Sequence, residues 1–423
     1  MGAGGAGVSA LARVFVARGD EVTGCDTRES ETTAELERSG VPIAIGHDPE
    51  HVLFCDLLVF SGAIKASAEL DAARAMGVRV VSRAEMLAEL INSHNSIGVA
   101  GTAGKTTVTH MIGHILVSAG WDPTVLVGDG FNARAGASEW LVAETDESDG
   151  TLALHHPRRA IVTNIELDHP DHFADVAAVR DLFEQFVQGL PADGLAVLCA
   201  DDDLARGLTA SSRSITYGFS EDATYRCGPE RPFSISFGGS ELGRINLRQP
   251  GRHNIQNATA AAALALELGV GFGDVAGSLA TFPGAHRRLE FLGAFHGAAV
   301  YDDYAHHPTK IRATIQAARE LRHRRLIAVF QPHRYSRLAA LMYDFSRAFT
   351  GADKVLVLDV YAAGEDNVSG VQASDLAHQI LGATYVGDFT TAMEALDELV
   401  GPDDLVLLMG AGDIKKLGDE LAH

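Results

Sequence analysis

The sequence predicts an α/β protein built as three consecutive units, and three observations carry that expectation. Its 423 residues, at ~150 per domain, suggest about three domains. Short apolar β-type runs alternate with amphipathic helical stretches along most of the chain, the pattern of parallel, doubly wound sheets. New units open at Asn95 and near Pro283, which divides the chain into 1–94, 95–282 and 283–423. With 46% hydrophobic and 21% charged residues, such a chain can bury several cores without disulfide support.

In the first unit, Gly2, Gly4, Gly5 and Gly7 precede a helical stretch from Val8 to Ala17, and Asp26 ends the β-type run 20–26. Glycines opening a helix with an acid downstream resemble a dinucleotide fingerprint, although no strand stands in front of them here. Runs 55–63 and 78–82 read as further strands, with amphipathic helices between them closed by glycine. The second unit opens as strand, glycine loop and helix over 95–120, and continues with strands at 140–147, 158–166 and 194–203. The turn-rich stretch 211–250 reads as an antiparallel insert, and a helix follows at 255–269. The third unit alternates again: strands at 299–305, 325–332, 354–361 and 404–413, with helices expected over 308–322 and 336–349.

Charge narrows the function. There are 34 Lys and Arg against 56 Asp and Glu, a net −22, which argues against a general nucleic-acid binder because backbone phosphates would be repelled. Local cationic groups can still hold phosphate. The four cysteines (Cys25, Cys55, Cys199, Cys227) form no CxxC pair, which removes the usual zinc and thioredoxin patterns and suits a reducing compartment. No apolar run approaches the ~20 residues of a membrane helix. MGAGGAG lacks a signal peptide's basic leader and apolar core, and Ala6 stands where myristoylation wants Ser or Thr. A soluble cytoplasmic protein without a membrane partner is expected.

The strongest motif is Gly101-Thr102-Ala103-Gly104-Lys105-Thr106-Thr107, between a strand and a helix. Glycines let backbone N–H groups turn inward around phosphate, Lys105 can reach the terminal phosphates, and the Thr106 hydroxyl can ligate Mg²⁺. Val99 replaces the usual first glycine, so the loop is a variant; the competing reading is a tight turn with an exposed lysine. Glu144 to Asp149 and Thr163 to His169 each follow a strand of the same unit. Strand ends face the ligand crevice of an open α/β sheet, so Glu144 and His169 are candidate metal ligands, beside the alternatives of a solvated acidic loop and a structural histidine.

His253, Asn254 and Asn257 open the helix after Gly251; Asn254 can be its N-cap, or two asparagines three apart can face a purine. Asp302-Asp303, His306-His307 and the cluster His333-Arg334-Ser336-Arg337 end successive strands of the third unit. Two cationic clusters in so acidic a protein suggest an anionic substrate, with Arg forking onto carboxylate or phosphate. Arg288, at the unit boundary, can approach a nucleotide as an arginine finger does. A nucleotide-binding regulatory or kinase-like protein and a dinucleotide oxidoreductase both stand open, but neither employs the clusters of the third unit.

Taken in order, these motifs resemble the Mur ligases over essentially the whole chain. Gly2 to Ser9 resembles the family's GxGGxGMS opening, and GTAGKTT its GTHGKTT. ETDESDG, TNIELDHPD, GRHNIQNA, DDYAHHPTKI and FQPHRYSR resemble family motifs in the same sequence order, with VYAAGE following. The resemblance implies an N-terminal Rossmann-like UDP-binding domain, a central P-loop ATPase-type α/β domain with a β-rich insert, and a C-terminal Rossmann-like amino-acid-binding domain. The ESDG and HHPT forms favour the branch that joins L-alanine to UDP-N-acetylmuramate with ATP, through an acyl phosphate, over the peptide-recycling branch.

Residue by residue, the resemblance implies ATP binding by Gly101, Thr102, Ala103, Gly104, Lys105, Thr106 and Thr107, with His253, Asn254 and Asn257 at adenine and Asp303 at ribose. Thr106, Glu144 and His169 would hold Mg²⁺. Lys105, Arg288, His306, His307, His333, Arg334 and Arg337 would serve catalysis, with Arg337 or Arg334 on the amino-acid carboxylate. Gly4, Gly5, Ala6, Gly7, Ser9 and Ser61 would take the UDP end. It further implies a cytoplasmic enzyme, monomeric or weakly dimeric, with no nucleic acid or membrane partner. Four departures accompany the match. The family's first strand, mid-sheet in the N-terminal domain, is not seen before Gly2, Ala103 replaces the loop histidine, and Pro170 and His172 alter the segment after His169. No lysine lies between Lys105 and Lys310 to be carbamylated beside a second metal, so one Mg²⁺ is expected.

Overall fold

A computed structural model describes residues 1–128, 133–148, 150–168 and 172–422. The chain forms two compact units. One comprises Met1–Glu166, Val176–Asn246 and Gln256–Phe282; the other comprises Leu167–Asp175, Leu247–Ile255 and Pro283–His423. Among the described residues, no helix is long and apolar enough to cross a membrane.

The first unit begins with a helix, Ala6–Arg18, capped by left-handed Gly19. Strands β1 (Gly24–Asp26) and β2 (Ile43–Ile45) pair in parallel, as do β3 (Leu57–Phe60) and β4 (Arg79–Ser82). The two pairs are separate sheets, and Met1–Ala3 run between them. Gly2 and Ala3 N–H groups donate to the Cys25 carbonyl at 2.9 and 3.0 Å, while Ser61 N–H donates to the Met1 carbonyl at 3.1 Å. The Met1 ammonium donates to the Val59 carbonyl at 2.8 Å, and burial lowers its pKa.

Helix Arg83–Ser93 starts with a reciprocal cap between Ser82 and Glu85. Its Met86, Leu87, Leu90 and Ile91 share one core with Leu11 and Val14 of the first helix and with Leu126 and Leu141 of the next sheet. That shared apolar surface joins 1–94 to the central region.

The central sheet has nine strands: β5 (Asn95–Ala100), β6 (Thr124–Leu126), β7 (Trp140–Glu144), β8 (Arg159–Val162), β9 (Leu195–Cys199), β10 (Arg213–Gly218), β11 (Tyr225–Cys227), β12 (Phe233–Phe237) and β13 (Ser240–Ile245). Their order is β13-β12-β11-β10-β9-β8-β5-β7-β6. The stretch 211–250 is therefore no separate antiparallel insert. After the crossover through Asp203–Arg206, β10 lies parallel to β9 and β11 parallel to β10; only the β11–β12 and β12–β13 pairings are antiparallel. Gly238 and Gly239, both at positive φ, close the β12–β13 hairpin.

The second unit's sheet comprises β14 (Glu290–Phe295), β15 (Ala298–Asp303), β16 (Leu326–Phe330), β17 (Lys354–Leu358), β18 (Ala383–Gly387) and β19 (Leu405–Met409), in the order β14-β15-β19-β16-β17-β18. It is parallel apart from the β14–β15 hairpin, and apolar clusters cover both faces, as a parallel sheet requires. Helix Pro308–Arg319 begins with proline, where no N–H is needed. The helix expected over 336–349 is instead two short ones, Tyr335–Ala340 and Met342–Ser346, broken at Leu341 with φ −115°.

Candidate active site

Sheet order brings the candidate phosphate-binding residues together. Strand β5 lies between β7 and β8, so the loop after β5, Glu144 at the end of β7 and Thr163 after β8 converge at adjoining strand ends. Gly104 caps helix Lys105–Ser118 in the left-handed region, φ +88°. A β-carbon there would stand 2.6 Å from Asn257 Oδ1, so only glycine lets the loop close against that asparagine. Asn164 Oδ1 accepts from Ala103 N–H at 2.8 Å, and Thr163 Oγ1 donates to the Ala103 carbonyl at 2.6 Å. The Ala103 N–H is thus engaged within the protein.

Lys105 is paired rather than exposed, against the tight-turn alternative. Its Nζ lies 2.5 Å from Glu147 Oε2 and 3.4 Å from Asp146 Oδ1. Burial works against the Lys105 charge, but Glu147, Asp146 and Glu144 outweigh it and hold the pKa above its ordinary value. Burial pushes the Glu147 carboxyl upward, against the pull of Lys105.

Thr106 and Glu144, two of the three metal candidates, meet: Thr106 Oγ1 donates to Glu144 Oε2 at 3.1 Å, and Gly128 N–H to the same oxygen at 3.0 Å. A hydroxyl and a carboxylate are hard oxygen donors of the kind Mg²⁺ takes, with phosphate and water completing its shell, so these residues fit that ion. His169, the third candidate, lies outside the described residues.

The His and Arg clusters predicted to meet an anionic substrate belong to the second unit. Strands β15 and β16 flank β19, so the segments after Asp303 and Phe330 emerge on either side of one strand end. Here Arg337 forks onto Asp168, Nη2 at 2.9 Å and Nε at 3.2 Å from Oδ1, both side chains buried. Lys310 Nζ stands 3.7 Å from Asp168 Oδ2.

His306, His307 and His333 are not the cations the sequence suggested. Burial is the main cause and the charges of Lys310, Arg337 or Arg334 add to it, taking His307 and His333 to about 4 and His306 well below its ordinary value. The local positive charge therefore comes from Lys310 and the arginines.

Arg334 adopts φ +69°, a strained conformation for a side-chain-bearing residue, as it caps Tyr335–Ala340. Glu365 holds this turn, accepting from Ser336 N–H at 3.1 Å, Ser336 Oγ at 2.8 Å and Arg334 Nη1 at 3.4 Å. Arg288 lies over the Tyr304 ring, 5.2 Å from its centroid. Asp303 accepts from Leu289 N–H and Ala305 N–H, both at 2.8 Å, so its carboxylate braces the turn between Arg288 and His306. Asn254 is not an N-cap: the helix begins at Arg252, and Asn254 Nδ2 donates to the Pro250 carbonyl at 2.7 Å. His253 packs where a β-carbon at Gly251 would fall.

At the N-terminal glycine loop, Gly4 N–H donates to Asp26 Oδ2 at 2.8 Å, and Ser61 lies against Gly2. Gly5 caps the helix that Ala6 and Gly7 enter. Ser9 is buried and its hydroxyl turns back to the Ala6 carbonyl at 2.9 Å. The sequence reading missed Arg83, packed against Gly7 and a cation beside this helix start. It also missed Glu147, Asp168 and Glu365, although all three sit in motifs it quoted.

Three family models match consecutive parts of the chain: Mur ligase family, catalytic domain, over 1–95; Mur ligase middle domain over 99–265; and Mur ligase, glutamate ligase domain, over 287–412. The chain is 41% identical to the UDP-N-acetylmuramate–L-alanine ligase of Desulfosudis oleivorans, covering 100% of this chain and 96% of the relative. It is 40% identical to the ligase of the same name from Aquifex aeolicus, covering 99% and 96%. Among solved structures it is similar to the UDP-N-acetylmuramate-alanine ligase of Thermotoga maritima, with TM-score 0.82, 29% identity and coverage of 99% and 96%. A murein peptide ligase from Psychrobacter arcticus shares the fold, with TM-score 0.74, 24% identity and coverage of 99% and 96%.

Proposed function

The chain belongs to the Mur ligase family, and from that premise we propose that it joins L-alanine to UDP-N-acetylmuramate, with ATP cleaved to ADP and phosphate, in peptidoglycan precursor synthesis. The observation that carries this reading is the end-to-end similarity to ligases named for that reaction. The phosphate half-site supports it, since Lys105, Thr106 and Glu144 are the groups a triphosphate needs.

In the first step an oxygen of the lactyl carboxylate attacks the γ-phosphorus and the bond to the β-phosphate oxygen breaks, releasing ADP and leaving an acyl phosphate. The alanine amine then attacks the acyl carbon and phosphate departs from the tetrahedral adduct, the amine losing its proton. No protein nucleophile is needed, so positioning and charge neutralisation supply the rate. Lys105 exchanges Glu147 for the terminal phosphates. Glycines 101 and 104 admit the phosphates close to the backbone, with Thr102 and Thr107 beside them. Thr106 and Glu144 would hold Mg²⁺, with His169 as third ligand; the ion would supply positive charge against the phosphates. Arg288 neutralises charge at the γ-phosphate, and His253, Asn254, Asn257 and Asp303 serve the nucleoside.

At the amino-acid half-site Arg337, with Arg334, takes the alanine carboxylate. Neutral His306, His307 and His333 offer hydrogen-bonding groups without added charge. The loop Gly4–Gly7, with Ser9 and Ser61, takes the UDP end. The working division is 1–94 for UDP, 95–282 for ATP and 283–423 for the amino acid. The same reading makes the protein a cytoplasmic enzyme acting on small molecules, a monomer or weak homodimer, with no nucleic acid or membrane partner.

Mass spectrometry of the nucleotide product tests the substrate assignment. With L-alanine and the free peptide offered in competition, UDP-N-acetylmuramate should gain one alanine residue. Transfer of the peptide instead would assign the chain to peptide recycling.

A further inference from the structure

Outside both half-sites, four side chains with metal-binding chemistry meet in the N-terminal part of the first unit. Glu69, on helix Ala68–Ala75, is fully buried, with no side-chain exposure. Its Oε2 lies 2.8 Å from His47 Nδ1, and its Oε1 lies 2.6 Å from His51 Nδ1 and 3.2 Å from Asp48 N–H. Cys25, at the centre of β1, places Sγ 3.4 and 3.5 Å from the two carboxylate oxygens and 3.6 Å from His47 Nδ1. Among the described residues, Cys25, His51 and Glu69 are the group whose donor atoms, all within 4.8 Å of one another, can share one ion. None of the four has a part in the ligase chemistry above.

We propose that Cys25, His47, His51 and Glu69 form a binding site for one divalent transition-metal ion of zinc type. Sulfur, two imidazole nitrogens and a carboxylate oxygen are the ligand types zinc selects, whereas Mg²⁺ and Ca²⁺ prefer oxygen alone. One thiolate and one carboxylate match the 2+ charge, and two neutral imidazoles complete a tetrahedral set. Around tetrahedral zinc, neighbouring ligand atoms stand roughly 3.3–3.7 Å apart. The three cysteine distances already lie in or near that range. The two His–Glu contacts are hydrogen bonds, and they open by roughly 0.5–0.8 Å when a cation takes the place between them and each imidazole proton moves to Nε2.

Side-chain exposures of 24% at His47 and 32% at His51 provide an entry path, while Cys25 and Glu69 form the buried floor. The ion would tie β1, the turn 46–52 and helix Ala68–Ala75 together, and its binding releases the thiol proton. The cysteine-spacing patterns could not reveal this set, because its ligands come from positions 25, 47, 51 and 69 on separate elements.

The test uses the full chain, stripped with a chelator and titrated with Co²⁺ and then Zn²⁺ in excess Mg²⁺. The expected result is one equivalent of Co²⁺ showing a thiolate-to-cobalt charge-transfer band and the intense visible bands of tetrahedral cobalt, displaced by Zn²⁺. Cys25→Ser should abolish the charge-transfer band. His51→Asn, at a partly exposed position, should weaken Zn²⁺ binding beyond the ~10–100-fold cost of losing an outer-shell partner, with unchanged circular dichroism. A wild-type chain without the cobalt bands overturns the assignment. So do variants that bind with wild-type spectrum and affinity, since the ion would then sit elsewhere.

Discussion

Arg337 and Asp168, 169 positions apart in the chain, form a buried ion pair in which two guanidinium nitrogens converge on one carboxylate oxygen at 2.9 and 3.2 Å. Both groups are nearly inaccessible, so each compensates the other's desolvation, and Lys310 stands behind Asp168. A carboxylate already occupies the arginine fork assigned to the substrate's carboxylate. Asp168 therefore holds that fork in place, and under the proposed function the alanine carboxylate has to share or displace this pairing.

Arg337→Ala should raise the apparent KM for L-alanine far more than that for ATP. It should also lower stability by about 3 kcal/mol, because Asp168 stays buried without the arginine that compensates its desolvation. Arg337→Lys keeps the charge but loses the fork, so it should retain more stability while still raising the alanine KM. Steady-state kinetics and chemical denaturation check both; equal effects on the two KM values would remove Arg337 from the alanine site.

Lys105→Ala should reduce phosphate release by roughly 10²–10³-fold, the cost of losing one preorganised charge at the transferring group. The fold should persist, because Glu147 can take up a proton once its partner is gone, burial already favouring its neutral form. Near-normal turnover would show that Lys105 does not serve the phosphates.

Glu144→Gln keeps an acceptor for Thr106 and for Gly128 N–H but removes the charge. The Mg²⁺ concentration for half-maximal turnover should rise by about tenfold or more. An unchanged Mg²⁺ dependence would mean that Glu144 braces the loop without holding the ion.

His307 and His333 titrate at about 4 in the folded chain, against an ordinary value of 6.5. As pH falls below 6.5 the unfolded chain takes up these protons first, so their contribution erodes stability between 6.5 and about 4 and levels off below. His333→Asn should flatten the decline over that window in denaturant unfolding. A slope identical to the parent's would contradict the burial assigned to His333.

The local motifs were legible because their chemistry is local. Strand, glycines, Lys105 and Thr106 lie in one short stretch, and Glu144 ends a plainly apolar strand. Pairings across the chain were not legible. Glu147 meets Lys105, Asp168 meets Arg337 and Glu365 meets Ser336 only through sheet order, which no spacing encodes. Strand β11 reads like a hairpin strand, yet it continues a parallel ladder. No glycine or proline announces the break at Leu341. The histidines read as cations because sequence reveals residue type but not burial, and burial decides their charge.

The most direct test of the ligase assignment is phosphate release from ATP and Mg²⁺ with UDP-N-acetylmuramate and L-alanine supplied singly and together. Release that requires both substrates is the predicted result. Release that ignores either one, or none with both present, would contradict it.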